Sequence, residues 1–204
     1  MLTEVRKGVF RWEGLEIKLK RHLNGWLLIT PDGPMLVDPP QAAEPDIADI
    51  ELRGKPKIIL LTGKRQERRT KMYQGWYQAR VYAPRGDEKL LEVEPFRLYE
   101  DGEALPGGFV AMRLANQRSP GESVLFHKAA RLLVAGHLVG APAGQLQMQE
   151  KHLYSNFSKA FAEQVRLLKL DFDALLPGRG EPVMKEARVR LAEHLATFAL
   201  PDGI

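Results

Sequence analysis

The 204-residue chain contains no cysteine. That excludes disulfide staples, thiolate-bound zinc and thiol nucleophiles, so any metal or covalent chemistry has to use His, Asp, Glu, Ser, Thr or Lys. It also has no apolar run of bilayer-spanning length and no basic N-terminal stretch leading into an apolar one, so a cytoplasmic protein without a membrane partner is expected. Charge of one sign is not in excess. Lys plus Arg number 30 against 26 Asp plus Glu, a net +4 that solubility explains as readily as nucleic acid does. The glycines lack phosphate-loop spacing, and Ser119 and Ser123 flank a Pro-Gly turn outside any G-x-S-x-G elbow. Histidines are few, and His22, His127, His152 and His194 are scattered without ligand spacing.

What the chain does have is a stretch that organises the rest, KIILLTGKRQERR at 57–69. Ile58, Ile59, Leu60, Leu61 and Thr62 read as a fully buried strand, the kind found in sheets covered on both faces. The strand breaks at Gly63 into a loop carrying Lys64, Arg65, Arg68 and Arg69, with Glu67 its only acid. Ligands in open α/β architectures bind where strands end, which makes this loop the first candidate site.

Taken in order, residues 9–12, a turn at Glu13-Gly14 and residues 15–20 read as a hairpin. Leu15, Ile17 and Leu19 would form its buried face, opposite Glu16, Lys18 and Lys20. Residues 25–30 and 35–38 form a second hairpin around Pro31-Asp32-Gly33, and 45–52 a short helix. Residues 67–78 are expected as helix and 79–82 as strand. In the second half, strands are expected at 96–99, 108–114, 123–127, 131–135 and 174–176. Helical spacing of Phe157, Phe161, Val165 and Leu168 after a Ser155 N-cap predicts a helix to about Leu170, and a last helix is expected over 184–198. Strands followed by a late helix in each half predict a mixed α/β (α+β) chain, a four-layer αββα sandwich forming one unit over 1–204.

Several turns then carry a resemblance. NGWLLI (24–29), MLVDPP (35–40), IILLTG (58–63), RSPGES (118–123), LLVAGHL (132–138) and LLPGRGEPV (175–183) stand in the order and spacing that resembles the metallo-β-lactamase superfamily. The resemblance implies that fold. It also implies a loop reading HxHxDH after the central strand, where one or two divalent ions activate water for hydrolysis. Here the corresponding positions are Gly63, Arg65, Glu67 and Arg68. The histidine expected before Ser119 is Arg118, the bridging aspartate after Gly136 is His137, and the histidine of the later Pro-Gly turn is Arg179. Asp38, an outer-shell position in that family, is retained.

Arginine offers only donors and keeps its charge, so it repels a cation. No metal cofactor is therefore expected, nor a zinc hydrolase. The plainer reading of Arg65, Arg68, Arg118 and Arg179 is a collapsed pocket held by pairing with Glu67, Asp38, Glu122 or Glu181. The sharper one is that some guanidinium forks stay free and bind an anionic small molecule, a phosphate, nucleotide or carboxylate. Two rivals remain. One is a hydrolase of esters, thioesters or phosphoesters, with a metal site rebuilt from Glu67, His137 and another residue, or using Arg65 and Arg179 as oxyanion clamps without metal. The other is a nucleic-acid binder working through the basic 64–80 face with Tyr73, Trp76 and Tyr77.

Overall fold

The computed structural model describes residues 1–198, without the side chain of Lys18. Residues 199–204, the end of the expected unit, lie outside that description. Fourteen strands and four α-helices are described. The first half contains β1 (Thr3–Arg6), β2 (Val9–Glu16), β3 (Arg21–Thr30), β4 (Gly33–Val37), α1 (Glu44–Leu52), β5 (Ile58–Leu60), α2 (Thr70–Tyr77), β6 (Arg80–Pro84) and β7 (Arg97–Tyr99). The second contains β8 (Ala104–Leu105), β9 (Phe109–Arg113), β10 (Ser123–His127), β11 (Leu132–Gly136), β12 (Val139–Gly140), β13 (Gln147–Met148), α3 (Phe157–Arg166), β14 (Ala174–Pro177) and α4 (Ala187–Ala196).

Strands β1 to β7 form a seven-stranded sheet in chain order, antiparallel through β4 and parallel from β4 to β7. A five-stranded sheet has the order β14-β11-β10-β9-β8, with only the β11–β14 pair parallel. Alternation along the strands separates the layers. Trp26, Leu28, Met35, Val37 and Leu60 share one cluster with Phe109, Ala111, Leu125, Val134 and Leu176, so the two sheets pack on each other. The intervening residues Leu27, Leu36, Ile59 and Leu61 pack with Ile50 of α1 and with Tyr73 and Tyr77 of α2. On the far side, Phe126, Leu133 and Leu175 pack with Ala160 and Phe161 of α3 and with Leu191 and Leu195 of α4. The layers are therefore helix, sheet, sheet, helix. Strands buried on both faces have no polar side to show, which is why IILL at 58–61 is continuous.

The structure corrects several local expectations. Glu13-Gly14 is not a turn, because β2 runs unbroken through it. Gly14 is there for close approach: a Cβ would lie 2.1 Å from the carbonyl oxygen of Gln41. The chain reverses instead at 17–20, through a 3₁₀ turn over Ile17–Leu19. Leu15, Ile17 and Leu19, expected inward, are 51%, 75% and 50% exposed. Strand β1 was not anticipated. Helix α2 starts at Thr70 rather than 67, since Arg68 has φ 42° and interrupts the helical path. It stops at Tyr77 because Gln78 is left-handed, φ 51°. Asn156 rather than Ser155 caps α3, its Oδ1 accepting from the Lys159 N–H at 3.0 Å. Helix α4 begins after Glu186, also left-handed at φ 54°.

Candidate functional site

The loops at the C-terminal ends of β4, β5 and β11 meet the turns after β9 and β14, as the central strand suggested. Asp38, at the end of β4, has a left-handed backbone, φ 49°, and is 1% exposed. Its Oδ1 accepts from the Thr62 N–H at 2.8 Å and its Oδ2 from the Thr62 hydroxyl at 2.7 Å. Burial raises its pKa to about 6, while nearby Arg68 and the Thr62 bonds act to lower it. Asp87, fully buried, ties two loops together. It accepts from the Lys64 N–H at 2.6 Å, the Ser119 hydroxyl at 2.9 Å and the Gly121 N–H at 2.8 Å. Glu122 lies beside them, with Oε1 buried and unpartnered. Burial, then Asp87 and Asp38, push its pKa up to about 8 against the opposing influence of Arg65.

In front of these acids opens a cavity of about 680 Å³. Arg21, Lys64, Arg65, Arg68, Arg118 and Arg179 line it, against the single carboxylate of Glu150. His137 lines it as well. None of Arg65, Arg68, Arg118 and Arg179 forms a salt bridge among the described residues. The carboxylates suggested as their partners are engaged elsewhere or carry no such bond: Glu181 pairs with Arg11 at 3.0 Å, and Glu67 with Lys64.

Arg68 instead bonds to backbone. Its Nη1 donates to the carbonyls of Asn24 at 2.6 Å and Asp38 at 2.7 Å, and its Nη2 reaches Gly178 O at 3.4 Å. One guanidinium thus joins β3, β4 and the turn after β14. Asn24 reinforces the seam, its Nδ2 donating to Pro177 O at 2.9 Å and Gly180 O at 2.8 Å. Arg179 donates from Nη2 to Gln147 Oε1 at 2.6 Å. Arg118 Nη1 lies 3.4 Å from His137 Nε2. Arginine can only donate, so that ring nitrogen accepts and the imidazole proton belongs on Nδ1. Burial first, and then Arg68, Arg118, Arg65 and Arg179, lower the His137 pKa to about 3, so the ring is neutral. The arginines lower one another as well: burial, then Arg65, depress Arg118, and burial, then Arg21, depress Arg179.

Two positions of the expected set lie away from the cavity. Glu67 turns behind the loop, where Oε1 accepts from the N–H groups of Glu92 and Val93, each at 2.6 Å. Gly63 is buried, and a Cβ there would sit 3.4 Å from Gln66 Oε1 and 3.5 Å from Asp87 Oδ2. Gly136, at φ 52°, requires glycine, because a Cβ would fall 2.1 Å from Thr62 Oγ1. Arg21 and Asp87 were not anticipated. Arg21 was within reach, since strand alternation puts it on the same side as Leu23, which lines the cavity too. Asp87 gave no signal, being one acid in a charged RGDEK stretch. Of the 64–80 face, Tyr73 and Tyr77 are buried, the Tyr73 hydroxyl donating to Pro40 O at 2.9 Å, while Trp76 is 55% exposed.

A sequence profile described as the metallo-beta-lactamase superfamily matches residues 1–198. The chain belongs to that superfamily. No curated protein matches it in sequence. Among solved structures, it is similar to DIM-1 metallo-beta-lactamase at a TM-score of 0.75 and 15% identity, covering 97% of this chain and 96% of that one. It is also similar to TTHA1429, a metallo-beta-lactamase family protein from Thermus thermophilus, at 0.71 and 17% identity, covering 95% and 80%. TTHA1623, solved in a di-iron-bound form, matches at 0.67 and 24% identity, covering 79% and 89%. At these identities the likeness speaks for the fold.

The metal that the family resemblance implies does not fit the donors at this site. Glycine and arginine side chains provide no lone pair to a cation, and both Glu67 oxygens are committed to other partners. Among the described residues no group of three or more His, Asp or Glu is placed to hold a metal ion. No described helix is long and apolar enough to cross a membrane.

Proposed function

We propose that this chain is a single metallo-β-lactamase-type unit that works without a metal and without hydrolysis. In this reading it binds a small anion in the cavity between Arg65, Arg118 and Arg179. The observation that carries the reading is the charge arrangement. Guanidinium groups from three separate loops face one cavity, and none has a carboxylate partner among the described residues. Like charges gathered in this way repel, and an anion relieves that repulsion while accepting forked hydrogen bonds.

Arg68 has a different part. Its bonds to carbonyls of three segments join loops that a metal ion joins in ligand-bearing relatives, so the cavity walls are held before any ligand arrives. Asp87 does the same for the Lys64 and Ser119 loops. A site shaped in advance loses less entropy on binding. His137, held neutral, adds no charge of its own and can accept from Arg118 or present its ring edge to a ligand.

The test is a phosphate titration followed by thermal unfolding. Inorganic phosphate is expected to raise the melting temperature increasingly as its concentration passes the dissociation constant, and Arg179→Ala to remove the effect. A wild-type melting temperature indifferent to phosphate, nucleotide and carboxylate probes alike would contradict the reading.

A further inference from the structure

The cavity is not lined by charge alone. Leu19, Leu23, Leu90, Met148 and Leu153 share its wall with the arginines. Leu23 and Met148 belong to the buried core, but Leu19 and Leu90 remain 50% and 47% exposed at its edge. Large apolar side chains open beside a dense cationic cluster give the cavity a surface that an apolar group can cover. Apart from the imidazoles of His137 and His152, the wall holds no aromatic ring, so a flat base would find little to stack on. A flexible aliphatic group, by contrast, fits Leu and Met.

The cationic side also exceeds what one phosphoryl group needs. Lys64 is taken up by Glu67 and Arg68 by carbonyls, which leaves Arg21, Arg65 and the remaining donors of Arg118 and Arg179, whose other amino groups meet His137 and Gln147. Each guanidinium presents a fork able to hold two oxygens, more donors than the few terminal oxygens of a single phosphoryl group can use. The cavity volume of about 680 Å³ lies well inside the range of about 300–1,000 Å³ usual for small-molecule sites.

Resting on the anion-site reading above, we infer that the ligand is an aliphatic diphosphate ester. The two phosphoryl groups lie among Arg65, Arg118, Arg179 and Arg21, and the hydrocarbon lies along Leu19, Leu90 and Leu153. Charge and apolar wall occupy the same cavity, so a compact amphiphile satisfies both at once. Neither inorganic phosphate nor a nucleotide does.

Calorimetric titration of the full chain with inorganic phosphate, inorganic diphosphate, ADP and geranyl diphosphate tests this. The expected order is geranyl diphosphate tightest, at least about tenfold tighter than inorganic diphosphate, as burial of a few methylenes requires. Inorganic diphosphate should in turn bind more tightly than phosphate, and ADP more weakly than geranyl diphosphate. Leu19→Ser and Leu90→Ser, at exposed positions that folding tolerates, are expected to weaken geranyl diphosphate while leaving inorganic diphosphate unchanged. Arg118→Gln is expected to weaken both. Diphosphate no tighter than phosphate, ADP equal to or tighter than geranyl diphosphate, or Leu variants that treat the two diphosphates alike would each overturn the inference, while phosphate binding left the anion site standing. Absence of binding by all four probes would remove both.

Discussion

Arg68 donates from Nη1 to the backbone carbonyl of Asp38 at 2.7 Å, and both residues hold a left-handed backbone, φ 42° and 49°. Asp tolerates that region, whereas for Arg it is uncommon and carries strain. The strain is compensated by what it achieves. Turned this way, Arg68 leaves the helical path before α2 and brings its guanidinium to the carbonyls of Asn24, Asp38 and Gly178.

Removing that guanidinium takes its donors from the carbonyls of Asn24 and Asp38, while Gly178 O keeps the Asn24 N–H at 2.9 Å. Arg68→Ala is expected to cost about 2–4 kcal/mol in urea unfolding, since bonds from a charged donor contribute about 1.5–3 kcal/mol each and are not additive. Arg68→Lys should recover less than half of the loss, because an ammonium on a flexible stem cannot reproduce the planar fork. A variant of wild-type stability would show that the seam is held by other contacts.

Asp87 supports a second prediction. Asp87→Asn keeps the shape but puts an amide donor where two oxygens accept from three donors. A cost of about 2–3 kcal/mol is expected from the mismatched buried pair. Amide hydrogen exchange should quicken at Lys64 and Gly121 rather than uniformly.

Stability should also depend on pH through Glu122. Its pKa is raised to about 8 in the folded protein, above the ordinary carboxylate value of 4.5, so the folded state favours the protonated form. The contribution is therefore complete at acid pH. It declines as pH rises from the unfolded value toward about 8, and levels off above. Glu122→Gln, which mimics the protonated group, is expected to raise the melting temperature at pH 8.5 by several degrees, at about 2–4 °C per kcal/mol for a chain of this size, and to change it little at pH 4. Equal effects at both pH values would mean that Glu122 is not the titrating group.

Much of the fold was legible because the chain states it redundantly. IILL at 58–61 announced a covered sheet, and the ordered Pro-Gly turns announced the topology. Where single residues decide, the pattern was silent. Gly14 reads as a turn until the Gln41 backbone is seen pressed against it. Leu15, Ile17 and Leu19 alternate like a buried face but are exposed, so alternation alone could not tell inward from outward. At the site, the sequence brought Arg65, Arg68, Arg118, His137 and Arg179 to one place, and the structure lines one cavity with them. What each side chain does there was not legible. Arg68 binds carbonyls, and no periodicity encodes a backbone acceptor. Glu67 turns away because the N–H groups of Glu92 and Val93, distant in sequence, compete for it. Leu90 ends a 3₁₀ turn whose charged sequence carries no apolar pattern.

Anion binding should be electrostatic in character. Raising ionic strength from about 0.05 to 0.5 M shortens the screening length to well below the cavity's dimensions, so phosphate affinity is expected to fall severalfold. Affinity independent of salt would point to recognition dominated by neutral hydrogen bonds.

The most direct measurement is elemental analysis of the untagged full chain, expressed with zinc, iron and manganese supplied and purified without chelator. An anion site built on Arg65, Arg118 and Arg179 is expected to retain far less than one equivalent of any of these metals per chain. A stoichiometric metal, retained through gel filtration and lost in His137→Ala, would contradict the central claim and return the chain to metal-dependent chemistry.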